Sequence, residues 1–483
     1  MSPQEKLVST GSNLLADHFP KRPEMTWHDQ LVWLLHLGAT MEHALMVQYL
    51  YAAYSLGGPL VPLPHHKEVK EWQDSILAVA REEMGHLLTV QNVLTFLGAG
   101  FGLSRDQFPW SIEWFNIEPF CMGSLACYVY AEMPEDWECD DRNKIEELVK
   151  KHLGKDSPPV HPVAEIYRQI MDLLANSELI PESALHPETY SLQASWDEWG
   201  RGHKPDPQPL DAAGNLDVPV KIRPKRPRKT PPRVPSDSHV LVFQVATRTE
   251  ALAALKQVSL QGEGKEDTKD PEVWTHFRRF LKIYKDFEGS QGDDWRPAAL
   301  APINPSTDEH PAGERQHTYI SCERSRNWAV LSNVRYWMLF RYLAHTFQIK
   351  AAGAPSEPNV RAMLMHRIFG EMYQLKALSG RLFQMPLTDA DAKSDVDPMK
   401  RCMAGPPFES PSNMRIPVGD IDCWCMHRDS LIASRDACNN ILASNPTPDE
   451  KAYIDTLLAL DEQTRSWIDQ ILAGLNSTTR YSA

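Results

Sequence analysis

Between Trp27 and Leu56, apolar residues recur with the period of an α-helix. Leu31, Leu34, Leu35, Gly38, Leu45, Met46 and Tyr49 fall on one stripe. Thr26 is a predicted N-cap, with Asp29 answering it three residues on, and Gly57-Gly58 is a predicted stop. A second stripe, Val69, Trp72, Ile76, Val79, Val90, Val93 and Leu97, predicts a helix from about His66 to Leu97, ended by Gly98. The short Pro/Gly-rich turn at 57–65 makes the two antiparallel neighbours. Further on, helical pattern is expected over "CMGSLACYVYAEMPED", at 143–153 and 161–177, and again at about 246–262 and 272–286. Two long amphipathic stretches begin at Asn327 and Asn359, and a last one covers "DEKAYIDTLLALDEQTRSWIDQILAGL". Alternation of the strand kind is confined to "HVLVFQV". There is no clear internal repeat.

The fold class is therefore all-α, built on a helical bundle with additional helices and long Pro-rich loops. Residues 1–177 would carry the first half of the bundle and a helical elaboration. Residues 178–238 form an irregular insert. Within it, the 35 residues from Lys204 to Ser238 hold nine prolines and the basic cluster "KIRPKRPRKTPPR". That composition suits a spacer between two helical halves; an acidic partner or a localisation signal is the lesser reading. Residues 239–290 would supply the second half of the bundle, and 291–483 a C-terminal helical region packed on it.

Composition narrows the function. The apolar fraction of 42% and charged fraction of 24% are those of an ordinary globular protein. A net charge of −14 argues against a nucleic-acid-binding surface over the whole molecule. No uninterrupted apolar run reaches membrane-spanning length, and the N-terminal residues lack the pattern of a secretory signal. Eight scattered cysteines without a Cys-x-x-Cys pair suit reduced thiols in a cytoplasmic protein, and "CWC" at 423–425 is a weak metal site.

Against this background, "REEMGHLL" at 81–88 stands out. Glu83 and His86 lie in the apolar stripe of the second helix, and Glu42 lies in that of the first. A buried carboxylate costs several kcal/mol unless a cation, a hydrogen-bond network or a metal ion compensates it. Positions i and i+3 share a helical face, so Glu83 and His86 can reach one interior point. A Glu from one helix and Glu-x-x-His from the next are half of a carboxylate-bridged dimetal site. The alternative, an incidental Glu-x-x-His on a solvated face, does not explain why three such residues fall within apolar stripes.

The other half is less regular. Glu263 ends one helical stretch and His276 opens the next, so in an antiparallel pair they match in height. Glu250 lies 13 residues before Glu263, roughly 20 Å away along a helix, and is a poor partner for His276. The position three before His276 is Val273, which leaves Glu272, at i−4, as the companion acid. His345 and His366 read as surface or satisfied core histidines, and "YWMLFRY" as core or the wall of a pocket.

"MEHALMVQYLYAAYSL", "AREEMGHLLTVQNVLTFLGAG", "LQGEG", "HFRRF" and "AGPPFE" together resemble the ferritin-like domain of iminophenylpyruvate dimer synthases. Those enzymes act in bisindole pathways of the violacein and rebeccamycin type. The resemblance runs through most of 27–410. It implies a metal role for Glu42, Glu83, His86, Glu263 and His276, and oxidation of an amino-acid-derived or aromatic small molecule. The dimerisation reaction itself does not carry over, because those synthases are much longer chains. The expected cofactor is a pair of iron ions, with manganese as a substitute, since carboxylate and imidazole ligands suit both. Glu83 would bridge, His86 and His276 would each cap one metal, and Glu42, Glu83 and His86 would carry the chemistry with O₂ as co-substrate. The competing readings are a ferroxidase or iron-storage protein and a non-catalytic helical scaffold.

Overall fold

The computed structural model describes residues 20–102, 105, 116–134, 137, 140–154, 162–199, 240–263, 274–290, 295–309, 317–350, 360–393, 395–410 and 415–479. Among them lie twelve α-helices: α1 Trp27–Ser55, α2 His66–Phe96, α3 Met122–Ala131, α4 Asp140–Leu153, α5 Pro162–Ala175 and the single turn α6 Trp196–Trp199. After these come α7 Arg248–Glu263, α8 His276–Ser290, α9 Glu323–Thr346, α10 Val360–Leu382, α11 Asp420–Ala443 and α12 Pro448–Thr479. The sheet content among the described residues is one parallel pair of two-residue strands, Pro305–Ser306 with Thr318–Tyr319. The protein is all-α. The basic proline-rich insert falls outside the described residues.

The helix starts and stops follow local chemistry. Thr26 Oγ1 accepts from the Asp29 N–H at 3.0 Å, and Asp29 Oδ2 accepts from the Thr26 N–H at 2.9 Å, so two donors at the head of α1 are satisfied reciprocally. After α1 and after α2 the chain turns at Gly57 (φ 96°), Gly58 (φ 101°) and Gly98 (φ 69°), a backbone conformation that a Cβ disfavours.

Two compact units divide the chain. The first comprises residues 1–46, 74–102 and 121–292; the second comprises 47–73, 103–120 and 293–483. In the first, α3 packs against α4 and α8, α5 against α7, and α7 against α8. Gly38 of α1 faces α5: a Cβ there would sit 3.8 Å from Ile170 Cδ1, in ordinary contact.

The strand expected at "HVLVFQV" does not form. Residues 240–245 belong to no helix or strand, and side chains pair with their backbone. Asn92 Nδ2 donates to the Phe243 carbonyl at 2.8 Å, the Phe243 N–H donates to Thr89 Oγ1 at 3.2 Å, and the Val245 N–H donates to Gln193 Oε1 at 2.7 Å. Val240, Val242, Phe243 and Val245 are buried, and polar side chains of α2, together with Gln193, replace a partner strand. Gly85 makes room for this segment. A Cβ at that position would lie 2.6 Å from the Leu241 carbonyl oxygen.

In the second unit α9 packs on α10 and α11, and α11 on α12. Trp328, Leu331, Leu378, Leu382, Cys438, Ile441, Ile454 and Leu457 belong to its core. Arg335 is buried among groups from the other three helices: Glu371 Oε1 at 3.1 Å, Ser434 Oγ at 2.9 Å and Asp461 Oδ2 at 2.5 Å. The aromatic run contributes Tyr336, Phe340 and Tyr342 to the interior. His366 is exposed, whereas His345 is fully buried with its Nδ1 3.0 Å from His427 Nε2. Cys423 is buried, Cys425 is half-buried, and both are free thiols. No described helix is long and apolar enough to cross a membrane.

Candidate metal centre

Six buried ionisable side chains meet inside the first unit: Glu42 from α1, Glu82, Glu83 and His86 from α2, Glu132 at the C-cap of α3, and His276 at the first position of α8. Glu83, His86 and His276 can each place a ligand atom within 4.8 Å of the others. The two oxygens of Glu83 face different histidines. Oε1 lies 2.9 Å from His276 Nδ1 and Oε2 lies 3.1 Å from His86 Nδ1. Glu42 Oε2 is 3.4 Å from His86 Nδ1, and Glu132 Oε1 is 3.7 Å from His276 Nδ1. The two imidazoles stack, with centroids 5.3 Å apart.

The outer nitrogens have partners of their own. His86 Nε2 donates to Gln261 Oε1 of α7 at 2.9 Å, and His276 Nε2 donates to Glu82 Oε2 at 2.9 Å. Arg279 Nη1 holds both Glu82 oxygens, at 2.9 and 3.0 Å. The Tyr167 hydroxyl of α5 donates to Glu42 Oε1. Adjacent residues on a helix point about 100° apart, and Glu82 and Glu83 accordingly reach His276 at opposite ring nitrogens.

The electrostatics are those of a crowded anionic pocket. Burial, with Glu83 beside it, pushes the Glu42 carboxyl up to about 7. Burial works against the charge of Glu82, yet Arg279 and His276 bring it down to about 2. Against the same desolvation, His276 keeps Glu83 below the usual carboxylate range. Burial disfavours the His86 cation, but Glu42 and Glu83 raise it to about 10; Glu83 and Glu132 raise His276 well above its ordinary value. Positive charge is thus drawn to the Nδ1 side of both rings.

The donor set suits divalent cations. His276 Nδ1 is buried and makes no hydrogen bond although two carboxylates face it, as expected of a ligating nitrogen. Glu42, Glu83 and Glu132 supply three carboxylates beyond the Glu82–Arg279 pair, so two divalent ions would offset the buried negative charge.

Of the residues singled out in the sequence, the structure brings Glu42, Glu83, His86 and His276 together. Glu263 is the last residue of α7, and its side chain is outside the described part; Glu272 lies outside the described residues altogether. Sequence reasoning missed Glu132, Glu82, Gln261, Arg279 and Tyr167. Glu132 had one signal, a lone acid closing the apolar run "MGSLACYVYA". Gly262 suits its placement, since a Cβ there would stand 3.1 Å from Glu132 Oε2.

Comparison with known proteins defines the class. The Ferritin-like family matches residues 35–285, and the chain belongs to that family. The chain is also similar to the dichlorochromopyrrolate synthase of Lentzea aerocolonigenes, 34% identical over 131 residues. The match takes in 22% of this chain and 13% of the synthase, so the chain spans only a small part of that relative's length. No solved structure matches the chain.

Proposed function

We propose that the protein is a non-heme dinuclear iron oxidase or oxygenase acting on a small amino-acid-derived or aromatic metabolite in natural-product biosynthesis. Glu83 carries the reading, because its two oxygens each face one histidine nitrogen. Glu42, Glu83, His86, Glu132 and His276 would hold the ions, with Glu83 spanning them. Similar bundles use a Glu from each of two helices and Glu-x-x-His from each of the other two; here His276 has Glu132, from a different helix, as its acid. Manganese can occupy the same donors. Two iron ions, when bound, supply the electrons for an O₂-dependent oxidation.

The chain's own residues would set the conditions for that chemistry. All the ligating side chains are buried, so bulk water is excluded and charge interactions are strengthened. Tyr167 and Gln261 fix the orientation of Glu42 and His86, and Glu82 that of His276. The similarity to dichlorochromopyrrolate synthase, with the bisindole resemblance of the sequence, supports an aromatic, amino-acid-derived substrate and an outcome among hydroxylation, desaturation and oxidative coupling. The test is O₂ uptake by iron-loaded protein presented with indole- and phenyl-containing 2-oxo or 2-imino acids. Uptake that depends on such a compound supports the reading. Uptake driven by Fe(II) alone, and indifferent to every organic compound, would make the protein a ferroxidase instead.

A further inference from the structure

The two histidines of the centre have unlike outer partners. His86 Nε2 donates to Gln261 Oε1, a neutral amide, at 2.9 Å. His276 Nε2 donates at the same distance to Glu82, an ionised carboxylate that Arg279 clamps through both oxygens. Glu82 and His276 are fully buried, so little solvent screens the contact. A carboxylate can only accept, so the Nε2 proton of His276 is fixed, and Nδ1, which faces Glu83 and Glu132, is the nitrogen that would exchange its proton for a cation. An anionic acceptor on the far nitrogen also makes an imidazole a stronger donor to a metal than an amide acceptor does.

From this contrast we infer that the centre has two unequal cation positions, and that Glu82 is the positioning residue that makes the His276 position the tighter, first-filled one. The inference rests on the dinuclear reading above. Arg279 has a defined part in it. Without the guanidinium, Glu82 would be a buried anion with one partner; with it, the carboxylate stays ionised and its oxygen stays on His276. The His86 position, oriented by Gln261 and Tyr167 through neutral groups, fills second and exchanges more readily.

The experiment is a titration of metal-free full-length protein with Co(II), followed by calorimetry and by the visible ligand-field bands, with helix content checked by circular dichroism. The wild type should take up ions in two resolved steps whose affinities differ by tenfold or more. Glu82→Gln should weaken the tight step by about 10- to 100-fold and leave the weak step within a few-fold. Gln261→Glu, which gives His86 a carboxylate partner, should tighten the weak step and draw the two together. Two ions entering with equal affinity would overturn the inference while leaving the dinuclear reading intact. So would a Glu82→Gln effect spread equally over both steps, or a folded Gln261→Glu protein with an unchanged weak step. Uptake of a single ion by the wild type would instead refute the dinuclear reading, and the inference with it.

Discussion

Glu83 Oε1 lies 2.9 Å from His276 Nδ1, yet that nitrogen makes no hydrogen bond. The two residues are 193 positions apart in the chain and belong to different helices, so the approach is produced by tertiary packing alone. The other Glu83 oxygen is turned to His86 on the same helix. Truncating Glu83 therefore differs in kind from truncating either histidine. Glu83→Ala is expected to abolish stable binding of both ions, while His86→Ala and His276→Ala should each depress one. Metal analysis after gel filtration distinguishes these outcomes, and full occupancy in Glu83→Ala would show that this carboxylate does not span the site.

Gly85 sits between Glu83 and His86, where the segment 240–245 packs against the helix. Gly85→Ala would push a methyl to 2.6 Å from the Leu241 carbonyl oxygen, backbone that cannot swing aside as a side-chain tip can. The expected cost is about 1–3 kcal/mol in urea unfolding, despite the better helix propensity of Ala. An unchanged or raised midpoint would mean that the segment does not pack as described.

Arg335 joins all four helices of the C-terminal region through Glu371, Ser434 and Asp461. Arg335→Met should cost about 3–5 kcal/mol, because two carboxylates remain buried without their cation. Adding Glu371→Gln and Asp461→Asn should recover a large part of that loss. A loss below 1 kcal/mol for Arg335→Met, measured by chemical denaturation, would place the group outside the stabilising core.

Acid should weaken the same region through His345 and His427. Burial lowers His345 to about 4 and His427 well below its ordinary value, where His345 and Arg341 add to the effect; Asp420, 3.8 Å from His345 Nε2, opposes it only in part. Unfolded histidines titrate near 6.5, so between about 6.5 and 4 the unfolded chain binds more protons than the folded one. Stability is complete above that window and falls as the pH drops through it. Urea midpoints at pH 7.5 and 5 should therefore differ more in the wild type than in His345→Gln/His427→Gln. An equal pH response in both would show that the pair does not couple to folding.

Much of this fold was legible in the chain because long stripes of Leu, Val and aromatic residues carry their period openly. α11 was not. Its buried face is Cys423, Trp424, His427, Ser430, Leu431, Ser434, Ala437, Cys438 and Ile441, which has helical spacing but too few large apolar residues to show as a stripe. At the site, Glu42, Glu83 and His86 were legible as polar residues inside apolar stripes. Glu132 and His276 come together only through the packing of α3 on α8, which no local spacing encodes. The choice of Glu272 rested on helix register alone, and it fell where the structure describes no residue.

Buried carboxylates and histidines arranged in this way would hold two metal ions at once. The most direct measurement is elemental analysis of protein purified from iron-supplied cells and freed of loosely bound metal. About two iron, or iron plus manganese, per chain is the predicted result. A stoichiometry of one, or a stable metal-free protein that takes up none on anaerobic addition of Fe(II), would contradict it.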